Sequence, residues 1–245
     1  MTTAFASPVC PRQSRRQFRE DGFLILPDLL SLEDCAALAD ELTGLFLRQR
    51  DSSRRRLGGV RNVLRSSPRA AAIANSPECV SIVTDLSGRA AFPVRAVFFD
   101  KTTEANWSVP WHQDLAIAVA GRMETPGFGP WSIKEGVVHV QPPQPVLDDM
   151  IALRLHLDDC SAENGALKVI SGSHLDGELD TDEIAAWTDR QDSVVCEIPI
   201  GGALLMRPML LHASPAAQSP SHRRVLHIEY ASRDLPGGLK WFERS

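Results

Sequence analysis

In Trp111-His112-Gln113-Asp114-Leu115-Ala116-Ile117-Ala118-Val119-Ala120, bulky and small side chains alternate with a period of two, which predicts a β-strand rather than a helix. Residues i and i+2 of a strand point the same way. One face therefore carries His112, Asp114, Ala116, Ala118 and Ala120, and the other carries Trp111, Gln113, Leu115, Ile117 and Val119. The first face sets an imidazole beside a carboxylate, with a row of small side chains that either leaves room for a substrate or is ordinary packing on a crowded sheet face. Two imidazoles and one carboxylate on one face of an ion, with the opposite positions open, form the ligand set of non-heme Fe(II) oxygenases. His212, one hundred residues further on, supplies the second imidazole from a distant strand.

Around this stretch, short apolar segments recur between Pro, Gly and Asp punctuation, an all-β pattern. The expected strands are 94–101, 111–120, 150–157, 166–170, 194–198, 203–206, 210–213 and 225–231. The strand at 150 sets Ile151, Leu153, Leu155 and Leu157 against Ala152, Arg154, His156 and Asp158, and the pattern favours solvent over a wet cavity for its polar face. In the last strand Arg223 shares its side with Val225, His227 and Glu229, whereas Arg224 goes with Leu226, Ile228 and Tyr230. If those apolar residues face the outer core, Arg223 faces the interior, and His227 and Glu229 become candidate cavity residues.

The first third reads differently. Gly22 to Pro27 is a short strand, and Ser31 caps a helix to about Arg48, with Glu33 and Asp34 in its first turn and Leu38, Leu42 and Leu45 on its buried face. A second helix follows Ser76-Pro77 and ends near Gly88. About eight strands preceded by helices predict a mainly β protein with flanking α elements: two sheets curled into a cupin-like jelly roll or barrel, a double-stranded β-helix supported by N-terminal helices. We expect one domain over 1–245, with helical support at 1–93 and the jelly-roll core at 94–231.

Composition narrows the function. The chain has 245 residues, 43% hydrophobic and 23% charged, enough for a substantial core. A net charge of -5 offers no electrostatic footprint for nucleic acid or an anionic membrane, and Arg54-Arg55-Arg56 is expected to be a solvated loop. Five scattered cysteines without a C-x-x-C spacing suggest neither a disulfide framework nor a thiolate metal site, and fit a reducing cytoplasm. The expected partner is a small-molecule substrate. His156, His174, His222 and His227 lack the ordered spacing of the triad and read as structural or surface residues, His174 supporting a turn.

His112-x-Asp114, a late His212, an arginine eleven positions beyond it, and Asn164-Gly165-Ala166-Leu167-Lys168-Val169-Ile170-Ser171-Gly172-Ser173-His174 together closely resemble the phytanoyl-CoA dioxygenase family of Fe(II)/2-oxoglutarate oxygenases. The resemblance spans Gly22 to Ala231 and is strongest from Trp111 onward. It implies that His112, Asp114 and His212 are the iron ligands and that Arg223, assisted by Ser214, holds the distal carboxylate of 2-oxoglutarate. A guanidinium suits that task because it pairs bidentately with a carboxylate and stays charged when buried. Arg154 matches a position near the co-substrate where relatives frequently carry an aromatic residue, and Arg61 could match a family basic co-substrate contact. The implied reaction consumes 2-oxoglutarate and O2, releases succinate and CO2, and hydroxylates an unactivated C–H bond of a small metabolite or biosynthetic intermediate. Related halogenases lack the carboxylate that Asp114 provides, so its presence argues for hydroxylation, with desaturation, epimerisation or ring closure open to the same iron.

The stretch 121–149 is rich in Pro and Gly, and a loop this long following a metal strand reads as a lid. Trp131, Lys134 and His139 are its candidate substrate contacts. It is longer than the matching stretch of the family's fatty-acyl-CoA hydroxylase, which argues against a CoA thioester. Two other classes keep parts of the pattern: a cupin-like metal lyase or isomerase, with the triad but no need of Arg223 and Ser214, and a non-catalytic small-molecule binding barrel.

Overall fold

The computed structural model describes residues 12–52 and 59–244, and the run Arg54-Arg55-Arg56 and Cys10 lie outside the described residues. The N-terminal part alternates helices with two short strands: α1 (Arg12–Asp21), β1 (Phe23–Leu26), α2 (Leu32–Ser52), β2 (Gly59–Arg61), α3 (Val63–Ser66), α4 (Pro68–Ala74) and α5 (Pro77–Ser87). The two predicted helices are present with their predicted starts; α5 also ends where predicted, whereas α2 runs four residues beyond Arg48. Ser31 Oγ accepts from the Asp34 N–H at 3.1 Å ahead of α2, and Ser76 caps α5, which stops at Gly88 with φ 73°. Helices α1, α3 and α4 are additional; the last two are too short to show a helical stripe in sequence.

The remainder comprises β3 (Phe92–Lys101), β4 (Val109–His112), β5 (Ile117–Val119), β6 (Trp131–Lys134), β7 (Val137–Val140), α6 (Gln144–Asp148), β8 (Ile151–His156), β9 (Leu167–Val169), α7 (Thr181–Arg190), β10 (Val194–Cys196), β11 (Ala203–Met206), β12 (His212–Ser214) and β13 (Arg223–Ala231). They form a six-stranded sheet ordered β1-β11-β8-β13-β3-β2, a four-stranded sheet ordered β10-β9-β12-β4, and a three-stranded sheet ordered β5-β7-β6. This is the predicted jelly-roll class, with sheets that stay open rather than closing into a barrel.

Alternation along the large sheet divides the molecule. Ala96, Phe98, Leu153, Leu155, Leu226, Ile228 and Tyr230 pack outward against Leu38, Leu42, Ile73 and Val83 of the helices, forming the main core. Burying each large aliphatic side chain there contributes about 1.5–3 kcal/mol. The opposite face points between the sheets and carries Arg95, Lys101, Arg154, His156, Arg223, His227 and Glu229, all buried except Glu229, which is partly buried. The polar face of the strand at 150 is therefore not solvated, as its alternation had favoured. A second sheet covers it, and strand periodicity alone does not distinguish water from a cavity. Among the described residues, no helix is long and apolar enough to cross a membrane.

Two further expectations change. The stretch 111–120 is two strands: β4 ends at His112, β5 starts at Ile117, and the Asp114 N–H leaves the ladder to donate to Pro208 O at 2.8 Å. The stretch 121–149 is not a long structureless loop. Its strands β6 and β7 form a hairpin turning at Glu135 and Gly136, both at positive φ, and β7 pairs with β5. Its apolar side packs on Val94, Met150 and Trp241.

Candidate metal centre

His112 and His212 face each other as cross-strand partners of β4 and β12, their ring centroids 4.1 Å apart. Each ring is held by its own backbone. Nδ1–H of His112 donates to Pro110 O at 2.9 Å, and Nδ1–H of His212 donates to Leu210 O at 2.8 Å. A carbonyl can only accept, so both Nδ1 atoms carry the proton and both Nε2 lone pairs are free for a metal. Those lone pairs converge on Asp114, with Nε2 of His112 3.8 Å from Oδ1 and Nε2 of His212 3.6 Å from Oδ2. The three ligand atoms lie within 4.8 Å of one another. Burial pushes the His212 imidazole down to about 4, which keeps it neutral and able to ligate. The donor set thus fits a divalent iron: two neutral imidazoles and one carboxylate on one side, with the other side open to the cavity.

Asp114 reaches this position although it lies beyond the strand. Its neighbour Gln113 is buried and fully paired, donating to Gly177 O at 2.8 Å and Met209 O at 2.6 Å and accepting from the Leu179 N–H at 2.8 Å. With Gln113 pinned on one side, the extended segment presents Asp114 on the other. Of the alanine row, only Ala116 lines the cavity; Ala118 is buried within β5 and Ala120 is exposed.

The cavity beside the triad measures about 510 Å³ and is walled by both main sheets and the β6–β7 hairpin. One end is cationic. Lys101 is buried and donates from Nζ to Ser214 Oγ at 2.8 Å and Pro215 O at 2.6 Å. Burial first, and the adjacent Arg223 second, push its ammonium down to about 7. Arg223 donates to Gly165 O and, at 3.4 Å, to Ser214 Oγ, while its buried Nε has no partner among the described residues. An orphaned buried N–H on a cation costs free energy that an incoming carboxylate recovers. Arg224, by contrast, points away and forms a bidentate pair with Asp158, at 2.9 Å from Nε and 2.6 Å from Nη2. The interior assignment by strand parity thus agrees with the observed placement.

Arg154 lies on the cavity wall, its Nη1 3.0 Å from Nδ1 of His227, and burial beside Arg223 lowers its guanidinium to about 10. Its Nε is also without a partner among the described residues. Neither His227 nor His156 is a surface residue. His227 joins the cavity, and His156 lies beneath it, where burial lowers its imidazole to about 3. His222 pairs with Asp100 at 2.9 Å, and His174 sits in a turn with Nε2 at 3.2 Å from Arg19 O.

The predicted substrate trio divides. Lys134 lines the cavity, as does Arg61 from outside the trio. Trp131 and His139 do not. Trp131 packs with the hairpin's apolar cluster and lies 5.5 Å beneath the Arg122 guanidinium, and His139 is buried with Nδ1–H donating to Val137 O at 3.0 Å. Strand parity separates the first two: on β6, Trp131 and Lys134 are an odd number of residues apart and face opposite ways, whereas His139, the register partner of Ser132, shares the Lys134 face but is buried within the sheet. Sequence reasoning also passed over Lys101 and Arg95. Their signal was present, since Arg95, Val97, Phe99 and Lys101 share one face of a strand whose other face is apolar at Val94, Ala96 and Phe98.

With the geometry established, comparison gives a concordant picture. Residues 18–225 match the family model described as Phytanoyl-CoA dioxygenase (PhyH). The L-proline trans-4-hydroxylase of Streptomyces griseoviridis is 25% identical over 248 residues, covering 87% of this chain and 84% of that protein. Among solved structures, the non-heme alpha ketoglutarate dependent carbocyclase SnoK from nogalamycin biosynthesis aligns with a TM-score of 0.71 at 17% identity, over 91% of this chain and 85% of its own. EctD from S. alaskensis with bound Fe aligns with a TM-score of 0.71 at 18% identity, over 95% of this chain and 79% of its own.

Proposed function

We propose, since the chain belongs to the phytanoyl-CoA dioxygenase (PhyH) family, that it hydroxylates an unactivated C–H bond of a small metabolite or biosynthetic intermediate. As a member it is a 2-oxoglutarate-dependent non-heme iron dioxygenase, and its cofactor set is Fe(II), 2-oxoglutarate and O2. The observation that carries the assignment of residues is that one cavity holds both the His112, Asp114 and His212 triad and the Lys101, Ser214 and Arg223 cluster with its orphaned Nε.

His112, Asp114 and His212 would hold the iron. Bound there, the metal with 2-oxoglutarate and O2 supplies the oxidising chemistry, the co-substrate leaving as succinate and CO2. The protein's own part is placement. Arg223 and Lys101 bind the distal carboxylate of 2-oxoglutarate, and Ser214, fixed by donating to Gly165 O at 3.1 Å, sets its height along β12. Arg154 stacks near Phe99, 5.7 Å from its ring centroid, and with His227 closes the polar wall behind the reacting region. Val97, Phe99, Leu115 and Ala116 give the remaining cavity an apolar lining suited to a C–H bond, and Lys134 from the hairpin contacts the substrate. Apolar walls with a few directed polar groups are the usual form of a small-molecule site.

The test combines purified protein with Fe(II), ascorbate, 2-oxoglutarate and a metabolite extract. A product heavier than its precursor by one oxygen, formed with matching succinate, is the expected result. Matching succinate with a product that has gained no oxygen refutes hydroxylation, and no succinate at all refutes the co-substrate assignment.

A further inference from the structure

The exposed end of the cavity carries a second group of charges that neither the metal nor 2-oxoglutarate uses. Arg61 on β2, Arg95 on β3 and Lys134 on β6 all line it. Arg61 is the register partner of Val97, and Arg95 lies two residues from Val97 on the same face, so the two guanidinium groups rise from adjacent strands of the large sheet. Lys134 comes from the hairpin of the small sheet, on the opposite side of the opening. Two carboxylates answer these three cations. Arg61 Nε lies 3.2 Å from Glu135, and Arg95 Nη1 lies 2.6 Å from Glu229. The side chain of Lys134, whose backbone pairs in the hairpin, has no hydrogen-bond or ion-pair partner among the described residues.

This leaves one uncompensated positive charge at the opening, in a chain whose net charge is -5. The three cations also oppose one another: desolvation first, then Arg61 and Arg95, lower the affinity of Lys134 for its proton. Like charges held together from separate sheets are unfavourable without a counter-ion, and a low-dielectric cleft strengthens both the repulsion and the attraction for an anion. The cleft is too small to enclose more than a drug-sized ligand, since 2-oxoglutarate shares its 510 Å³. Lys134 also senses the charge of Asp114, which places the cluster within electrostatic reach of the metal ligands.

We propose that Arg61, Arg95 and Lys134 form an anion subsite for the prime substrate, which is therefore a small carboxylate. The carboxylate docks at Lys134, and the body of the molecule runs inward along Val97 and Phe99 towards the triad. This assignment rests on the dioxygenase reading only for the identity of the reaction; the subsite itself is a binding property and can be tested without turnover.

The experiment uses the protein loaded with Mn(II) in place of Fe(II) and saturated with 2-oxoglutarate, so that Arg223 is already taken by the co-substrate. Cyclopentanecarboxylate and its neutral counterpart cyclopentanecarboxamide are the probes, and proton line broadening by the paramagnetic ion is the readout, with Zn(II)-loaded protein as the diamagnetic reference. The acid should broaden far more than the amide. Lys134→Glu, an exposed substitution whose folding is checked by circular dichroism, should weaken that selective broadening by about tenfold or more, the effect of roughly 1.4 kcal/mol of lost charge pairing. Lys134→Arg should retain it. Equal broadening of acid and amide, none for either, or selectivity that persists in Lys134→Glu would each overturn the subsite. Succinate release by the wild-type Fe(II) enzyme without probe reports separately on the dioxygenase reading, so the two failures are distinguishable.

Discussion

Replacing Lys101 tests the proposed co-substrate end of the cavity most sharply, because the position is buried and its charge is finely poised. Lys101 is 1% exposed, donates to Ser214 Oγ and Pro215 O, and has its ammonium lowered from 10.5 to about 7 by burial and by Arg223. An anion at Arg223 stabilises the charged form, so 2-oxoglutarate binding takes up a proton wherever the free enzyme has lost one. The sign follows from linkage: affinity is complete below pH 7 and falls as pH rises above it. The co-substrate's carboxylates are fully ionised throughout this range and add no slope of their own. The fall should amount to about 2 kcal/mol between pH 7 and 9, since at pH 7 half of the free enzyme has already lost this proton. Lys101→Met has no such proton. It should bind 2-oxoglutarate with an affinity independent of pH over that range and about 3 kcal/mol weaker than wild type at low pH, roughly 150-fold. Anaerobic calorimetric titration of the Fe(II)-loaded proteins at pH 6, 7, 8 and 9 measures both quantities. A wild-type affinity that is flat with pH, or a Lys101→Met variant within threefold of wild type at pH 6, would refute the role given to this lysine.

Four further outcomes follow from the same geometry. His112→Ala, Asp114→Ala and His212→Ala should each abolish succinate formation and weaken anaerobic Fe(II) binding, and wild-type turnover in any one of them would remove that residue from the site. Arg223→Ala should raise the 2-oxoglutarate KM by the equivalent of about 2 to 5 kcal/mol, whereas Arg224→Ala, which breaks only the partly exposed pair with Asp158, should leave KM unchanged and lower stability by about 1 kcal/mol; equal KM effects would contradict the observed register. Gln113→Leu should lower unfolding free energy by about 3 kcal/mol in urea denaturation, because it strands Gly177 O, Met209 O and the Leu179 N–H in the interior, and a loss under 1 kcal/mol would show that those groups find other partners. Trp131→Ala should lower Tm while keeping the product-to-succinate ratio, whereas Lys134→Ala should lower that ratio with little change in Tm; the opposite assignment would return Trp131 to the substrate site.

The triad and its chemistry were legible because ligand identity depends on residue type and order, and strand parity correctly separated Arg223 from Arg224. Parity failed where the chain leaves its ladder. Nothing in Gln113-Asp114-Leu115-Ala116 announces that the Asp114 N–H will pair with Pro208 O, nor that 121–149 will fold back as a hairpin on β5. Those outcomes depend on partners about 20 to 100 residues away. The same limit hid Lys101 and Arg95: alternation placed them opposite an apolar face, but only the packing of a second sheet turned that face from solvent to cavity. Sequence by itself thus determined the His112, Asp114 and His212 candidate set, the jelly-roll class and the two longest well-capped helices, all of which follow from local periodicity, capping and side-chain chemistry. Tertiary structure alone decided which charges share a cavity, that Lys101 joins Arg223 and Ser214, and that Lys134 reaches the opening while Trp131 does not, because charge convergence is a property of strands brought together from distant parts of the chain.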